Sequence, residues 1–347
     1  MNYKKDLFSN YILKERKIKL FLLVFVLLLI ILFFLFASMG KVKISFMDIK
    51  TIILYKLNLI ENLDSNLLSK EVIMFNIRFP RIIISIFVGM GLCVSGVIFQ
   101  SILSNPLADS YTIGVSTGCA FGAVLSLFIN MVFGINLHIM FLSIVFGLIT
   151  LAIVCAIANK KGDFSSSNLV IAGIIVSSIL SSAISFIKNI AGEEVSVIVY
   201  WLMGSFSAKS WSYVYLCVPV VTIGIMLTMF FSNELNIISL GEEDSMSLGV
   251  CPKNTRKKFL IIGSIITAAC VSVSGIIGFI GLVVPHMIRF SVTSNNKYVV
   301  PLSAIMGGIL LLCADTFTRV LFASEIPVGV ITTLLGGPFF IYIFMRK

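Results

Sequence analysis

Three arginines and one aspartate stand where an apolar chain has least reason to keep them. Arg78 and Arg81, in "NIRFPRIIISIFVGMG", come directly before a long apolar run. Arg319 closes another, "LLLCADTFTR", in which Asp315 lies four residues earlier. A guanidinium offers a planar fork of N–H donors, so it fixes the orientation of a carboxylate as well as its charge. The residues leave two uses open. The cations can serve the chain itself, by pairing of Arg319 with Asp315 on one helix face or by snorkelling to lipid headgroups. Alternatively they are held for the carboxylates of a partner.

A second group lies in the polar segment "SNELNIISLGEEDSMSLGVCPKNTRKK". Leu240, Met246 and Leu248 are spaced as on a helix, Gly241 and Gly249 flank them, and Glu242, Glu243 and Asp244 suit the positive end of a helix dipole. Such a segment is either a docking loop or a solvated connector.

Enzyme chemistry finds little support. There is no G-x-x-x-x-G-K-[ST] loop to cradle ATP, and no H-E-x-x-H. His138 and His286 are far apart in sequence, and the seven cysteines lack disulfide or metal spacing. Cys93, Cys119, Cys155, Cys217, Cys270 and Cys313 lie in or beside apolar runs and read as small packing residues, whereas Cys251 lies in a loop. The chain is therefore expected to be no enzyme and to carry neither cofactor nor metal. Asp315 is the one acid well inside an apolar run, so an ion-coupled secondary transporter stands as the alternative.

The elements that position these groups follow from composition. Apolar residues make up 58% of the chain and charged residues 12%, against about 25% charged in soluble domains. Mean hydropathy is +1.07. The apolar runs are continuous and long enough for helices that cross about 30 Å of hydrocarbon, and they lack the alternation of a barrel. Spans are expected at 20–39, 80–103, 112–132, 137–158, 168–188, 211–231, 258–277, 278–292, 299–319 and 327–345. The eighth is short and holds Pro285, so hydropathy leaves nine or ten open; Gly275, Gly278 and Gly281 would permit a tight reversal before it. The first run reads as a retained span rather than a signal peptide.

Basic residues set the orientation. With ten spans, the inner segments collect sixteen of the 26 Lys and Arg: six before residue 20, Lys160 and Lys161, Lys253, Arg256, Lys257 and Lys258, Arg289 and Lys297, and Arg346 and Lys347. Both termini are then cytoplasmic, with 1–19 as an inner N-terminal segment and 20–347 as one transmembrane domain. Within it, 232–257 is an inner loop and 40–79 an extracytoplasmic segment whose "FMDIKTIILYKLNLI" suits a helix at the interface. Arg78, Arg81 and Arg319 fall on the outer side. The net charge of +10 belongs to these scattered loops facing anionic lipid, and no nucleic-acid partner is expected. "VSGVI" at 94 and "VSGII" at 273 hint at an internal duplication, placed by the topology in opposite directions.

Four ordered blocks go further: "RFPRIIISIFVGMGLCVSGVIFQSILSNPLADSYTIGVSTGCAFGA"; "VYWLMGSFSAKSW" at 199–211; "LGEEDSMSLGV" at 240–250; and "GIIGFIGLVVPHMIRF" running on to "ADTFTRVLFASEIPVGVITTLLGGPFF". In these the chain resembles the membrane permease subunits of binding-protein-dependent ABC importers for ferric siderophores, haem and cobalamin, from about residue 75 to the C-terminus. It departs from the usual pattern at Ser110, where the family has proline, and at Met246, where it often has alanine.

The resemblance implies an all-α polytopic type II importer fold like that of cobalamin permeases, with ten spans in the plasma membrane. It implies a homodimer or a pair with a paralogous permease, two cytoplasmic ATPase subunits that hydrolyse ATP, and an extracytoplasmic substrate-binding protein. Carried over by position, Arg78, Arg81 and Arg319 would meet acidic residues of the binding protein. Leu240, Gly241, Ser247, Leu248 and Gly249 would sit in a groove of the ATPase. Asn105, Pro106, Pro285 and His286 would form helix ends along the inner pathway, with the prolines stopping or kinking helices. The cargo implied is an iron(III)-siderophore chelate, with cobalamin and haem as alternatives.

Overall fold

The computed structural model describes residues 2–60, 63–160, 164–322 and 324–345. Lys161, Arg346 and Lys347 of the charge count lie outside them. The long apolar runs become helices because a chain in hydrocarbon must satisfy its backbone polar groups internally. In order these are α1 (Asn2–Ser38), α2 (Phe46–Lys56), α3 (Ser65–Ile73), α4 (Phe79–Ile102), α5 (Val115–Phe133), α6 (Ile139–Ala158), α7 (Ser166–Ile190) and α8 (Val195–Leu202). They continue with α9 (Trp211–Phe230), α10 (Ser232–Ile238), α11 (Glu242–Ser247), α12 (Pro252–Ser274), α13 (Ile280–Ser291), α14 (Asn296–Leu321) and α15 (Val328–Met345). Among the described residues, eight helices are long and apolar enough to cross a membrane, and α13 and α15 are two shorter apolar helices. Eight and two give the ten spans expected from the sequence.

Burial separates the spans sharply. The most apolar window of α4 is 83% buried within the chain, that of α1 only 6%. A helix apolar on every side is either enclosed by others or bathed in lipid, and these two show both outcomes. α4 is the central helix, packed by α14, α12, α9 and α13. Small residues let the backbones approach, as membrane helices require when apolar burial alone does not drive them together. A Cβ at Gly89 would collide with the Gly307 carbonyl of α14, and one at Gly96 with the Gly281 carbonyl of α13.

The reversal between α12 and α13 uses one of the three expected glycines. Gly275 takes φ +73°, and the second left-handed residue is Phe279 at φ +66°. Gly281 is instead spent on the α4 contact. The two copies of the short repeat also differ: Gly96 is inside a helix, whereas Gly275 ends one. α13 runs through Pro285 rather than stopping there.

The 40–79 segment folds as a pair of surface helices. Ser45 and Asp48 form a reciprocal capping box that starts α2. Lys70 of α3 reaches Asp48 at 2.7 Å, and Lys56 of α2 reaches Glu71 at 2.7 Å. Ile49 and Ile52 are buried against the bundle, while Phe46 and Met47 remain exposed, as an interfacial helix requires. α3 then passes through a π-helical turn at Met74–Arg78 straight into α4. That continuity delivers Arg78 and Arg81 to the top of the central helix.

Candidate functional site

At the outer end, three arginines meet. Arg81, on the first turn of α4, grips Asp315 of α14 with both edges of its fork: Nε donates to Oδ2 at 3.0 Å and Nη2 to Oδ1 at 2.9 Å. Its remaining Nη1 donates to Glu325 Oε2 at 2.9 Å. The same Glu325 oxygen accepts the Ser207 hydroxyl at 2.6 Å. Glu325 lies in the segment after α14 and Ser207 in the segment before α9, so one carboxylate ties two outer segments to the central helix. The Glu325 carboxyl is held below its ordinary range: burial pushes it up, but the Ser207 hydroxyl and the Arg81 charge outweigh that.

Arg78 and Arg319 use backbone acceptors. Arg78 Nη1 donates to the carbonyls of Ala37 at 2.6 Å and Ser38 at 3.2 Å, and Nη2 to that of Val42. Arg319 Nη2 donates to the Phe36 carbonyl at 3.0 Å. The Phe36, Ala37 and Ser38 carbonyls belong to the last turn of α1, which has no intrahelical partners for them, so the two cations cap that helix, while Val42 lies beyond its end. All three guanidinium groups are buried. Pairing of Arg319 with Asp315 across one turn, an expectation of the sequence, is not what forms. Asp315 goes to Arg81, 234 positions away in the chain, because α4 and α14 cross there.

At the inner end the arrangement is open. α10 and α11 form a short helical pair after α9. Gly241 takes φ +117° and Gly249 φ +81°, with nothing near enough to meet a Cβ at either, so each glycine supplies a backbone angle rather than a close approach. Leu240, Met246 and Leu248 are all about 60% exposed, and Ser247 is exposed beside them. Behind this apolar surface the pair is anchored. The Ser245 hydroxyl donates to the Ile237 carbonyl at 2.9 Å. Arg256, buried at the start of α12, holds Glu242 at 2.6 Å and also donates to the carbonyls of Ile102 and Phe164. Lys258 holds Glu234 at 2.7 Å and lies over the Phe231 ring.

The remaining expected residues separate. Asn105 and Pro106 form an exposed turn after α4, where the Asn105 side chain accepts the Leu107 N–H at 2.9 Å. Pro285 is buried and His286 half-buried on α13. α13 is joined to the inner half of α4 on either side of them: Gln100 donates to the Leu282 carbonyl at 3.0 Å, and Arg289 to the Ser101 hydroxyl at 2.9 Å. Next to this helix an apolar cavity of about 380 Å³ is lined by Phe279, Val283, Met287, Met306, Leu310 and Leu335.

Sequence reasoning missed Glu325, Ser207 and the anchoring work of Arg256. Glu325 did carry a signal, as an acid in the same outer segment that follows Arg319. Ser207 carried none, because one serine among many in an apolar chain has no distinguishing spacing.

Buried cations at one end and an anchored apolar surface at the other are held by a helical bundle whose sequence and fold have known relatives. The model of the FecCD transport family matches residues 28–346. The chain belongs to the FecCD transport family. A cobalamin import system permease protein, BtuC of Halobacterium salinarum, is 38% identical over 79% of this chain and 73% of its own length. A hemin transport system permease protein, HmuU of Yersinia pestis, is 34% identical over 79% of this chain and 84% of its own. A molybdate import system permease protein, MolB of Haemophilus influenzae, is 35% identical over 78% and 80%. A solved structure, described as a metal-chelate type ABC transporter in an inward-facing conformation, matches with a TM-score of 0.82 at 30% identity over 94% of this chain and 99% of that one. The chain is an ABC importer permease, a multi-pass protein of the cytoplasmic membrane.

Proposed function

We propose that this permease carries an iron(III)-siderophore chelate. It would act as a homodimer or beside a paralogous permease, with two ATPase subunits at its inner face and a binding protein at its outer face. The observation that supports this reading most is the family match over nearly the whole chain, together with the likeness to a metal-chelate transporter. The relatives span cobalamin, haemin and molybdate systems, so cobalamin and haem are the competing cargoes. The apolar, methionine-bearing cavity beside α13 supports a passage that binds cargo weakly and leaves selection to the binding protein.

The surface of Leu240, Met246 and Leu248, shaped by Gly241 and Gly249 and edged by Ser247, is the proposed ATPase contact. Its exposed apolar side chains sit on a rigidly anchored base, which is how a docking surface retains its shape. Arg78, Arg81 and Arg319 are the proposed docking cations for the binding protein, and 40–79 the outer segment that frames them. Asn105, Pro106, Pro285 and His286 are assigned to the inner pathway. The ion-coupled alternative is disfavoured by Asp315, whose carboxylate is buried and already held by Arg81.

The test is uptake in cells with and without the chain, offering labelled ferric siderophores, cobalamin, haemin and molybdate side by side. Loss of ferric siderophore uptake alone is expected. Loss of another cargo alone would replace the siderophore reading. Uptake driven by a proton gradient in the purified chain alone would overturn the ATPase partnership.

A further inference from the structure

The outer cations pose a problem for docking. Each of the three nitrogens of the Arg81 guanidinium already donates to a carboxylate, and the residue is buried. In so buried a site, a partner carboxylate that takes over a nitrogen already paired must replace the carboxylate there. The two incumbents differ. Asp315 is on α14, 2% exposed, and takes two edges of the fork. Glu325 lies outside any helix, has a side chain 29% exposed, and takes one edge. Breaking the first would strand a charge in the bundle, which costs far more than exchanging the second at the surface.

We propose that Glu325 is an internal stand-in for the acidic residue of the binding protein. Docking exchanges one carboxylate for another at Arg81 Nη1 and releases Glu325 together with Ser207. The exchange leaves the charge on Arg81 matched throughout, so it needs no unpaired intermediate at the membrane surface. Its consequence is local. Glu325 and Ser207 join the segments following α14 and preceding α9, and the Gly329 N–H donates to the Gly204 carbonyl at 3.3 Å beside them. Releasing the carboxylate removes this side-chain tie between the segments, and the backbone contact that stays beside it is a long one. The binding protein thereby loosens the outer end at the position where it docks. This inference rests on the docking reading of Arg81 and adds to it the competitor, the exchange and the segments set free.

The experiment measures affinity of the assembled importer for the binding protein that copurifies with it, in wild type and in three variants. Glu325→Gln removes the competing charge in an almost unchanged shape and is expected to tighten binding about fivefold, the scale of one partly exposed ion pair. Asp64→Asn removes an equal charge elsewhere in the outer segment and is expected to change it by less than about twofold, a control for general attraction. Arg81→Gln, made together with Asp315→Asn so that no buried charge is stranded, is expected to abolish measurable binding while the ATPase still copurifies. Unchanged affinity in this double variant would overturn the docking reading itself. Weakened binding in the double variant with unchanged or weaker binding in Glu325→Gln would overturn the exchange alone. Equal tightening by Glu325→Gln and Asp64→Asn would reduce the effect to general electrostatics and also overturn it. A second readout is the separation of spin labels on Ala208→Cys and Ser324→Cys in a Cys251→Ser background. It is expected to widen on docking, and a fixed separation would overturn release of the two segments.

Discussion

The outer and inner ends of this permease use charge in opposite ways. Outside, the cations are buried and the groups that bind them come from distant parts of the chain: backbone carbonyls of α1 and carboxylates of α14 and of the segment around Glu325. Inside, Arg256 and Lys258 brace a local helical pair from behind, and Leu240, Met246 and Leu248 stand exposed beside the acidic first turn of α11. The difference teaches where each end can yield. An outer contact must exchange partners within a buried network. An inner contact can form on a surface that is already bare.

The largest effect should come from the outer network. Asp315→Ala leaves Arg81 buried with one partly exposed carboxylate, and losing one member of a buried pair costs about 3–5 kcal/mol. Thermal unfolding of the detergent-solubilised complex should show a large fall in midpoint. A midpoint equal to wild type would mean that water reaches Arg81 freely, and the contrast between the two ends would collapse.

Leu248→Asp probes the opposite end. The side chain is exposed, so stability should stay within about 0.5 kcal/mol of wild type. A charged group at the centre of an apolar contact should instead cost about 2 kcal/mol of partner affinity, or roughly thirtyfold. Copurification of the ATPase should fail while the unfolding midpoint holds. A fall in stability with intact copurification would reverse the assignment and make α11 part of the core.

Legibility followed the range of the interactions. The spans were readable because apolar runs of membrane length declare themselves, and nine of the ten expected starts fall within six residues of the observed helices. The exception is α1, which extends well before the apolar run, as the polar stretch Asn2–Lys19 continues the same helix. The partners of Asp315 were not legible. Spacing of four residues made Arg319 its natural mate, yet helix crossing gave it Arg81, and no local pattern encodes which faces of α4 and α14 meet. The same limit hid Glu325 and Ser207, which are 118 positions apart and are joined only by the fold.

The smallest effect concerns the surface helices that frame the outer network. The Ser45 hydroxyl accepts the Asp48 N–H at 3.1 Å, and the Asp48 carboxylate accepts the Ser45 N–H at 3.1 Å and the Lys70 ammonium at 2.7 Å. Ser45→Ala removes one arm of this box and should cost about 1 kcal/mol. Because α2 packs on the bundle through little more than Ile49 and Ile52, the loss should stay local. Amide exchange over 49–52 should quicken about fivefold, while that of α4 should not change. Acid sharpens the point. The Asp48 carboxyl lies below its ordinary range, chiefly because Lys70 bonds to it, so its contribution is complete above the ordinary range and lost as pH falls through the lowered value. At that low pH the wild type also loses the Asp48 arm, and exchange over 49–52 should quicken in both proteins. If Ser45→Ala also quickened exchange across α4, the surface helices and the buried cations would form one cooperative unit.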